Sequence, residues 1–308
     1  MRVLITGGAG YIGLELAYRL DAMEQIVSIT LLDALSRVNY NVFSGLRKFS
    51  SGKIEFVEGD ILDNRVLSKC IENSDVIFHM AAQVPSELGA VSPHHFEQIN
   101  NWGLSNLVDT LCSHETSKLL INFSSLSVFG SGRIDVDNME PKPTSYYAVS
   151  KLRGERHLNR IALGQNHRYM NLRLPIVFGY SKNLRIDCPI NRLVFDANFK
   201  KRIRIKGEFN GSAPYVYMRD LLNYLVSILA DLGAIKNGTY YPPIMQVDAS
   251  SVYEVLKEVH SGVEVILLDQ GVYGEELLVS GEGLTILQDP QNRRLYEALS
   301  EFNSTFTF

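Results

Sequence analysis

The sequence predicts an α/β fold, a doubly wound parallel sheet followed by a smaller C-terminal lobe. Three observations predict it. Short β-prone apolar runs alternate with helical stretches through the first half of the 308 residues. The chain opens on a strand, glycine turn and helix in immediate succession. Past Phe178-Gly179 the texture changes to short segments broken by Pro189, a basic run, a Gly207–Gly211 turn and Pro242-Pro243.

Val3-Leu4-Ile5-Thr6 is too short for a helix and suits a buried strand. It runs into Gly7-Gly8-Ala9-Gly10-Tyr11-Ile12-Gly13, and residues 14–20 then carry apolar side chains at helical spacing. Glycines at 7, 10 and 13 allow a tight turn, close backbone approach to a diphosphate and close helix–strand packing. The spacing is a variant of the general dinucleotide fingerprint. The next strand, residues 27–32, ends in Asp33, twenty residues after Gly13. A carboxylate there accepts hydrogen bonds from the adenosine ribose and repels a 2′-phosphate, which favours NAD over NADP. Arg37 is near enough to keep NADP as the alternative.

Further strands are expected at residues 54–57, 75–78, 119–124 and 169–175. Helices are expected at about 94–113 and from Tyr147 onward, the latter capped by Ser145. Residues 1–175 form the cofactor-binding domain in this reading. Residues 176–308 form a substrate lobe that returns some segments to the first domain.

Composition excludes several function classes. Hydrophobic residues make up 45% and charged residues 21%, and the net charge is −4, so there is no footprint for nucleic acid or an anionic membrane. The one basic run, Lys200 to Lys206, flanks a turn and short strand or faces an anionic substrate. Three scattered cysteines (Cys70, Cys112, Cys188) and seven histidines form neither a disulfide framework nor a metal-ligand pattern. The N-terminus begins directly with a core strand and no membrane-length apolar run follows, so the cytoplasm is the expected location.

Tyr147-Ala-Val-Ser-Lys151 places a phenol and an ammonium four residues apart, on one helix face. A neighbouring cation favours the phenolate and brings tyrosine toward useful proton exchange. By itself the pair is common on helix surfaces; beside a dinucleotide loop it becomes a candidate acid/base site.

Together these pieces resemble the extended short-chain dehydrogenase/reductase family, in particular its NAD-dependent sugar-nucleotide epimerases and dehydratases, with the 4-epimerases nearest in pattern. The resemblance covers most of the chain. It rests on Thr6 to Gly13, Gly59-Asp60-Ile61, His79-Met80-Ala81-Ala82, Asn100, Phe123 to Gly130, the Tyr147–Lys151 pair, Arg173 to Gly179 and Tyr215 to Asp220. It implies a Rossmann-type fold and a homodimer built on the helices near 94–113 and 147–163. It implies cofactor contacts from Gly7, Gly10, Tyr11, Ile12, Gly13, Asp33, Asp60, Ile61, Met80, Ala81, Ala82, Gln83, Asn100, Tyr147, Lys151 and Pro175. Substrate contacts are expected from Ser86, Ser125, Arg185, Arg192 and Arg204, and no metal. In the implied chemistry Lys151 holds the nicotinamide ribose and lowers the Tyr147 pKa. Tyr147 takes the sugar hydroxyl proton, and Ser125 steadies the reacting oxygen.

The departures narrow the reaction. Family dehydratases carry an acid pair just after the catalytic hydroxyl, where this chain has Leu126 and Ser127. Elimination then lacks its carboxylate, leaving epimerisation of a nucleotide-activated sugar through a transient keto sugar. The alternatives are a keto-sugar reductase or alcohol dehydrogenase and, from another class, a non-catalytic NAD(P)-binding sensor or partner protein. Ile176 and Ala213-Pro214 replace the asparagine and the arginine–aspartate pair that commonly face the nucleotide diphosphate.

Overall fold

The first strand, β1 (Arg2–Thr6), sends its side chains alternately to two buried faces, which is why its apolar run is continuous. Val3 and Ile5 enter one core and Leu4 the other. The computed structural model describes residues 1–44, 47–85, 92–164, 166–206, 211–260, 262–268, 277–289 and 291–306. After β1 come α1 (Tyr11–Asp21), β2 (Ser28–Asp33), β3 (Ile54–Glu58), α2 (Asn64–Glu72) and β4 (Val76–His79). They are followed by α3 (Pro93–Phe96), a π-helical turn (Glu97–Trp102), α4 (Gly103–Cys112), β5 (Leu119–Ser125) and β6 (Gly132–Asp135). The first half ends with α5 (Tyr146–Glu155), α6 (Asn159–Gly164) and β7 (Arg168–Leu174).

Each strand expected from the sequence is present. The run at 169–175 stops at Leu174, because Pro175 has no N–H for a ladder bond. The helix expected over 94–113 is divided by the π turn, which carries Asn100. The sequence reading did not include α2; its signal is Asp63, whose side chain accepts from the Arg65 and Val66 N–H groups.

The second half contains β8 (Ile176–Phe178), α7 (Pro189–Lys200), β9 (Arg202–Lys206), β10 (Ser212–Tyr217) and α8 (Met218–Ala230). Then follow β11 (Gly238–Tyr240), β12 (Met245–Asp248), α9 (Ala249–Val259), β13 (Glu264–Leu268), β14 (Leu277–Ser280) and α10 (Arg293–Ser304). The basic run straddles the end of α7 and β9, with Lys201 in the left-handed conformation between them.

Seven strands form one parallel sheet in the order β11-β7-β5-β4-β1-β2-β3. On one face α1 and α8 pack Leu16, Leu20, Leu221 and Leu225 against Ile5, Ile29 and Phe78. On the other, α2 and α4 pack Leu67, Ile71, Leu107 and Leu111 against Leu4, Ile77 and Leu120. Thus β11 and α8, although late in sequence, complete the first sheet and its core. A separate sheet, β12-β10-β8, supports a second core of Phe178, Val194, Tyr217, Leu256 and Phe302 with α7, α9 and α10. Among the described residues no helix is long and apolar enough to cross a membrane.

The strand order reverses between β1 and β4, and ligands bind at the carboxyl ends of strands at such a point. There Thr6 Oγ1 and His79 Nδ1 lie 2.8 Å apart and buried. Burial, with a smaller push from Lys151, lowers the His79 pKa from 6.5 to about 3. The folded protein therefore keeps a neutral ring, whereas the unfolded chain is protonated below 6.5. Unfolding takes up a proton in that window, so stability falls as pH drops from 6.5 toward about 3. Urea denaturation of His79→Gln across this range is expected to show an acid limb shallower by up to about 1.4 kcal/mol per pH unit. Equal slopes would contradict a buried neutral His79.

Candidate active site

The glycine loop leaves β1 and enters α1 beneath the switch point. Gly7 has φ +71°, and a Cβ on it would sit 2.7 Å from the Ala81 nitrogen. Gly13 packs on the Gly7 carbonyl, with no room for a side chain. Gly10 is the N-cap of α1, no side chain caps it, and its first turn contains no acid. The N–H groups of Tyr11, Ile12 and Gly13 therefore open onto the cleft at the positive end of an eleven-residue helix. That cradle fits a dinucleotide diphosphate.

Asp33 ends β2 with Oδ2 accepting the Ala9 N–H at 3.0 Å and Oδ1 accepting the Leu35 N–H at 2.8 Å. Burial raises its carboxyl pKa, against those two hydrogen bonds. Each oxygen keeps a lone pair for a ribose hydroxyl. Arg37 donates to the Val84 carbonyl at 3.1 Å.

The opposite wall comes from residues 80–83. Met80 and Ala81 are pinned to Thr6 by N–H bonds to its carbonyl (3.0 Å) and hydroxyl (3.3 Å). Asn100, from the π turn, accepts the Gln83 N–H and donates to the Gln83 carbonyl, both at 2.9 Å. Its amide also reaches Ser150 on α5 at 3.0 Å. Both Asn100 donors are used within the chain, where they clamp the cleft wall. Ala82 continues that wall, partly buried. Asp60 accepts the Leu62 N–H at 2.9 Å, and Ile61 is buried with its carbonyl held by Asn106 at 2.8 Å. Pro175 is buried between β7 and β8.

Ser145 caps α5 by accepting the Ala148 N–H at 3.1 Å, which sets Tyr147 in the first turn and Lys151 one turn on. The Tyr147 phenol faces the Ser125 hydroxyl, at the end of β5, and lies edge-on to Phe96 with centroids 6.0 Å apart. Burial pushes its phenol above the ordinary range; the Arg185 charge and the Ser125 hydrogen bond act the other way. The i,i+4 spacing expects Lys151 to supply the lowering charge. Here its buried ammonium donates instead to the Phe123 carbonyl at 2.8 Å. Burial lowers its pKa from 10.5 to about 8, opposed by Glu155 one further turn along. Lys151 is thus still charged at neutral pH.

Arg185 precedes α7 and donates to both oxygens of Asp187, at 3.0 and 2.7 Å. Its charge is felt at Tyr147, so of the three arginines expected to meet substrate it is the one grouped with the acid/base candidate. Arg192 is exposed on α7 and Arg204 exposed on β9. Ser86 lies outside the described residues. The Tyr11 side chain turns out of the cleft: its hydroxyl donates to the Gly179 carbonyl at 2.8 Å and accepts from Asn191 at 3.2 Å. What Tyr11 offers a cofactor is its backbone N–H.

The sequence profile of the NAD dependent epimerase/dehydratase family matches residues 3–241. The chain belongs to this family. It is 33% identical over 162 residues to the UDP-glucose 4-epimerase of Mycolicibacterium smegmatis, covering 52% of this chain and only half (50%) of that enzyme's length. It is 26% identical over 281 residues to the dTDP-D-glucose 4,6-dehydratase of Homo sapiens, covering 86% of this chain and 76% of that one. The structure of UDP-glucuronic acid 4-epimerase from Bacillus cereus in complex with NAD superposes with TM-score 0.77 at 20% identity, over 99% of both chains. That likeness shows the shared fold.

Within this family fold several site residues escape motif reading. Glu155 accepts two bonds from Arg173, at 3.1 and 2.7 Å, and one from the Ser124 hydroxyl, behind Ser125 and Lys151. Its signal was the four-residue step from Lys151. Asn191 had none, since its partners Tyr11 and Gly179 lie in other segments. Pro214 pairs with Gln246 of β12, one residue before β10 begins its pairing with β8 at Tyr215. Among the described residues no group of three or more His, Cys, Asp or Glu is placed to hold a metal.

Proposed function

We propose that the protein is an NAD-dependent epimerase of a nucleotide-activated sugar, working by transient oxidation to a keto sugar and re-reduction. The observation that carries the proposal is the Tyr147 phenol set against Ser125 and one helix turn from Lys151, beside a dinucleotide-fitting glycine loop, with Leu126 and Ser127 where elimination would need carboxylates. Family membership and the epimerases among its relatives support it. The N–H groups of Tyr11, Ile12 and Gly13 would hold the diphosphate, Asp33 the adenosine ribose, and Lys151 the nicotinamide ribose. NAD bound there supplies a hydride acceptor and donor. Tyr147 accepts the proton of the sugar hydroxyl and later returns it to the carbonyl oxygen. Ser125 donates to that oxygen and holds its developing charge. Arg185, the expected arginine grouped with Tyr147, would meet the diphosphate of the sugar nucleotide, because Ala213 and Pro214 carry no charge. NAD over NADP is favoured by Asp33 and by the turn of Arg37 toward Val84.

Purified protein should carry NAD and interconvert a UDP- or dTDP-sugar with its 4-epimer without net change in NADH absorbance. Steady consumption of added NADPH would replace the proposal with a keto-sugar reductase. Bound NAD with neither activity on any nucleotide sugar would leave a cofactor-binding protein.

A further inference from the structure

Ser127 turns its side chain back onto Ser125. Its N–H donates to Ser125 Oγ at 3.1 Å, and its hydroxyl donates to the same oxygen at 2.9 Å. A serine hydroxyl has two acceptor lone pairs and one donor. The amide can only donate, so one lone pair is occupied by the turn that Ser125 caps, the 3-10 segment Leu126–Phe129. The Ser127 hydroxyl occupies the other. Among the described residues this leaves Ser125 its own O–H to give, and the Tyr147 phenol is the group it faces. Leu126 takes no part, since it is buried in a core with Val128 and Phe129.

We propose that Ser127 is a positioning residue that holds the Ser125 hydroxyl as a donor toward Tyr147 and the reacting sugar oxygen. The inference rests on the reading of Tyr147 as acid/base. The position where elimination would need an acid is then used to orient the neighbouring hydroxyl. A donor aimed at Tyr147 favours its phenolate, the form that accepts the sugar proton; an acceptor aimed there favours the phenol. In Ser127→Ala one lone pair of Ser125 is released, and its hydroxyl is free to rotate and accept from Tyr147.

The test uses NAD-loaded protein with 13Cζ-labelled tyrosine, the Tyr147 resonance being assigned by its loss in Tyr147→Phe. Carbon NMR follows its ionisation up to the highest pH at which circular dichroism is unchanged. The charges around it, Arg185 from the segment before α7 and Lys151 on its own helix, are the same in every variant. Ser127→Ala is expected to raise the midpoint by roughly half a unit to one unit, and Ser127→Thr, which keeps the hydroxyl, to restore it. Equal midpoints in Ser127→Ala and wild type would overturn the proposal. So would a Tyr147 that stays protonated in all variants, or a shift that Ser127→Thr shares with Ser127→Ala. No turnover is read, so absence of epimerase activity leaves this result intact and bears only on the function proposed above.

Discussion

Tyr147→Phe is expected to lower turnover by roughly two to four orders of magnitude while leaving the fold and bound NAD in place. The substitution removes one oxygen and keeps the ring that meets Phe96 edge-on. Ser125 no longer faces a hydroxyl but retains both bonds from Ser127. The structural penalty is therefore about one hydrogen bond, on the order of 1 kcal/mol. The loss of the proton acceptor falls on the chemical step alone. Turnover of the sugar nucleotide, NAD content and the thermal midpoint, measured on one preparation, separate the two. A variant as active as wild type would remove Tyr147 from the chemistry. One that lost NAD and midpoint together would recast it as a packing residue.

Glu155→Ala is expected to destabilise the protein by about 3–5 kcal/mol, the usual consequence of stranding one member of a buried ion pair. The Glu155 and Arg173 side chains are only 9% and 12% exposed, and the two charges meet through two hydrogen bonds. Removal of Glu155 leaves the Arg173 guanidinium over the Phe129 ring without its carboxylate and frees the Ser124 hydroxyl. Replacing both members, Glu155→Leu with Arg173→Met, should lose much less than the sum of the single changes, because no charge is stranded. Urea denaturation of the four proteins checks this. Additive losses would argue that the pair is not coupled. Lys151 provides a second readout. Its folded pKa is lowered from 10.5 to about 8, so the penalty for its buried charge is fully present below 8 and is relieved as pH rises toward 10.5. Without Glu155 the folded protein releases that proton at lower pH, and the rise in stability with pH should begin earlier.

How much of this was legible depends on whether a signal is local in sequence. The glycine loop, Asp33 at the end of β2 and the Ser145 cap of α5 are local patterns, and each stands where its spacing placed it. The run of strands was legible because a parallel sheet buries both faces and leaves continuous apolar segments. Electrostatics was less so. Tyr147 and Lys151 share a helix face, yet the Lys151 ammonium bonds Phe123 and the charge lowering Tyr147 comes from Arg185, thirty-eight positions away. Tyr11 read as a loop residue facing cofactor, but its hydroxyl found partners in Gly179 and Asn191, which no pattern near Tyr11 announces. Burial and pairing are properties of the assembled chain, and motifs report them only when both partners are neighbours.

The Tyr11 contact has a consequence for anyone recombining such enzymes. Asn191 accepts the Gly179 N–H at 2.9 Å and donates to Tyr11 and to the Arg185 carbonyl, while Asn183 donates to the Ala9 carbonyl at 2.5 Å. A chimera cut at residue 176, the boundary expected from the sequence, would sever this web and pair one parent's glycine loop with the other's C-terminal segment. Tyr11, Gly179, Asn183 and Asn191 form one inheritable unit. Grafting a new substrate lobe without its matching glycine loop would therefore be expected to disturb nucleotide retention before it altered sugar choice.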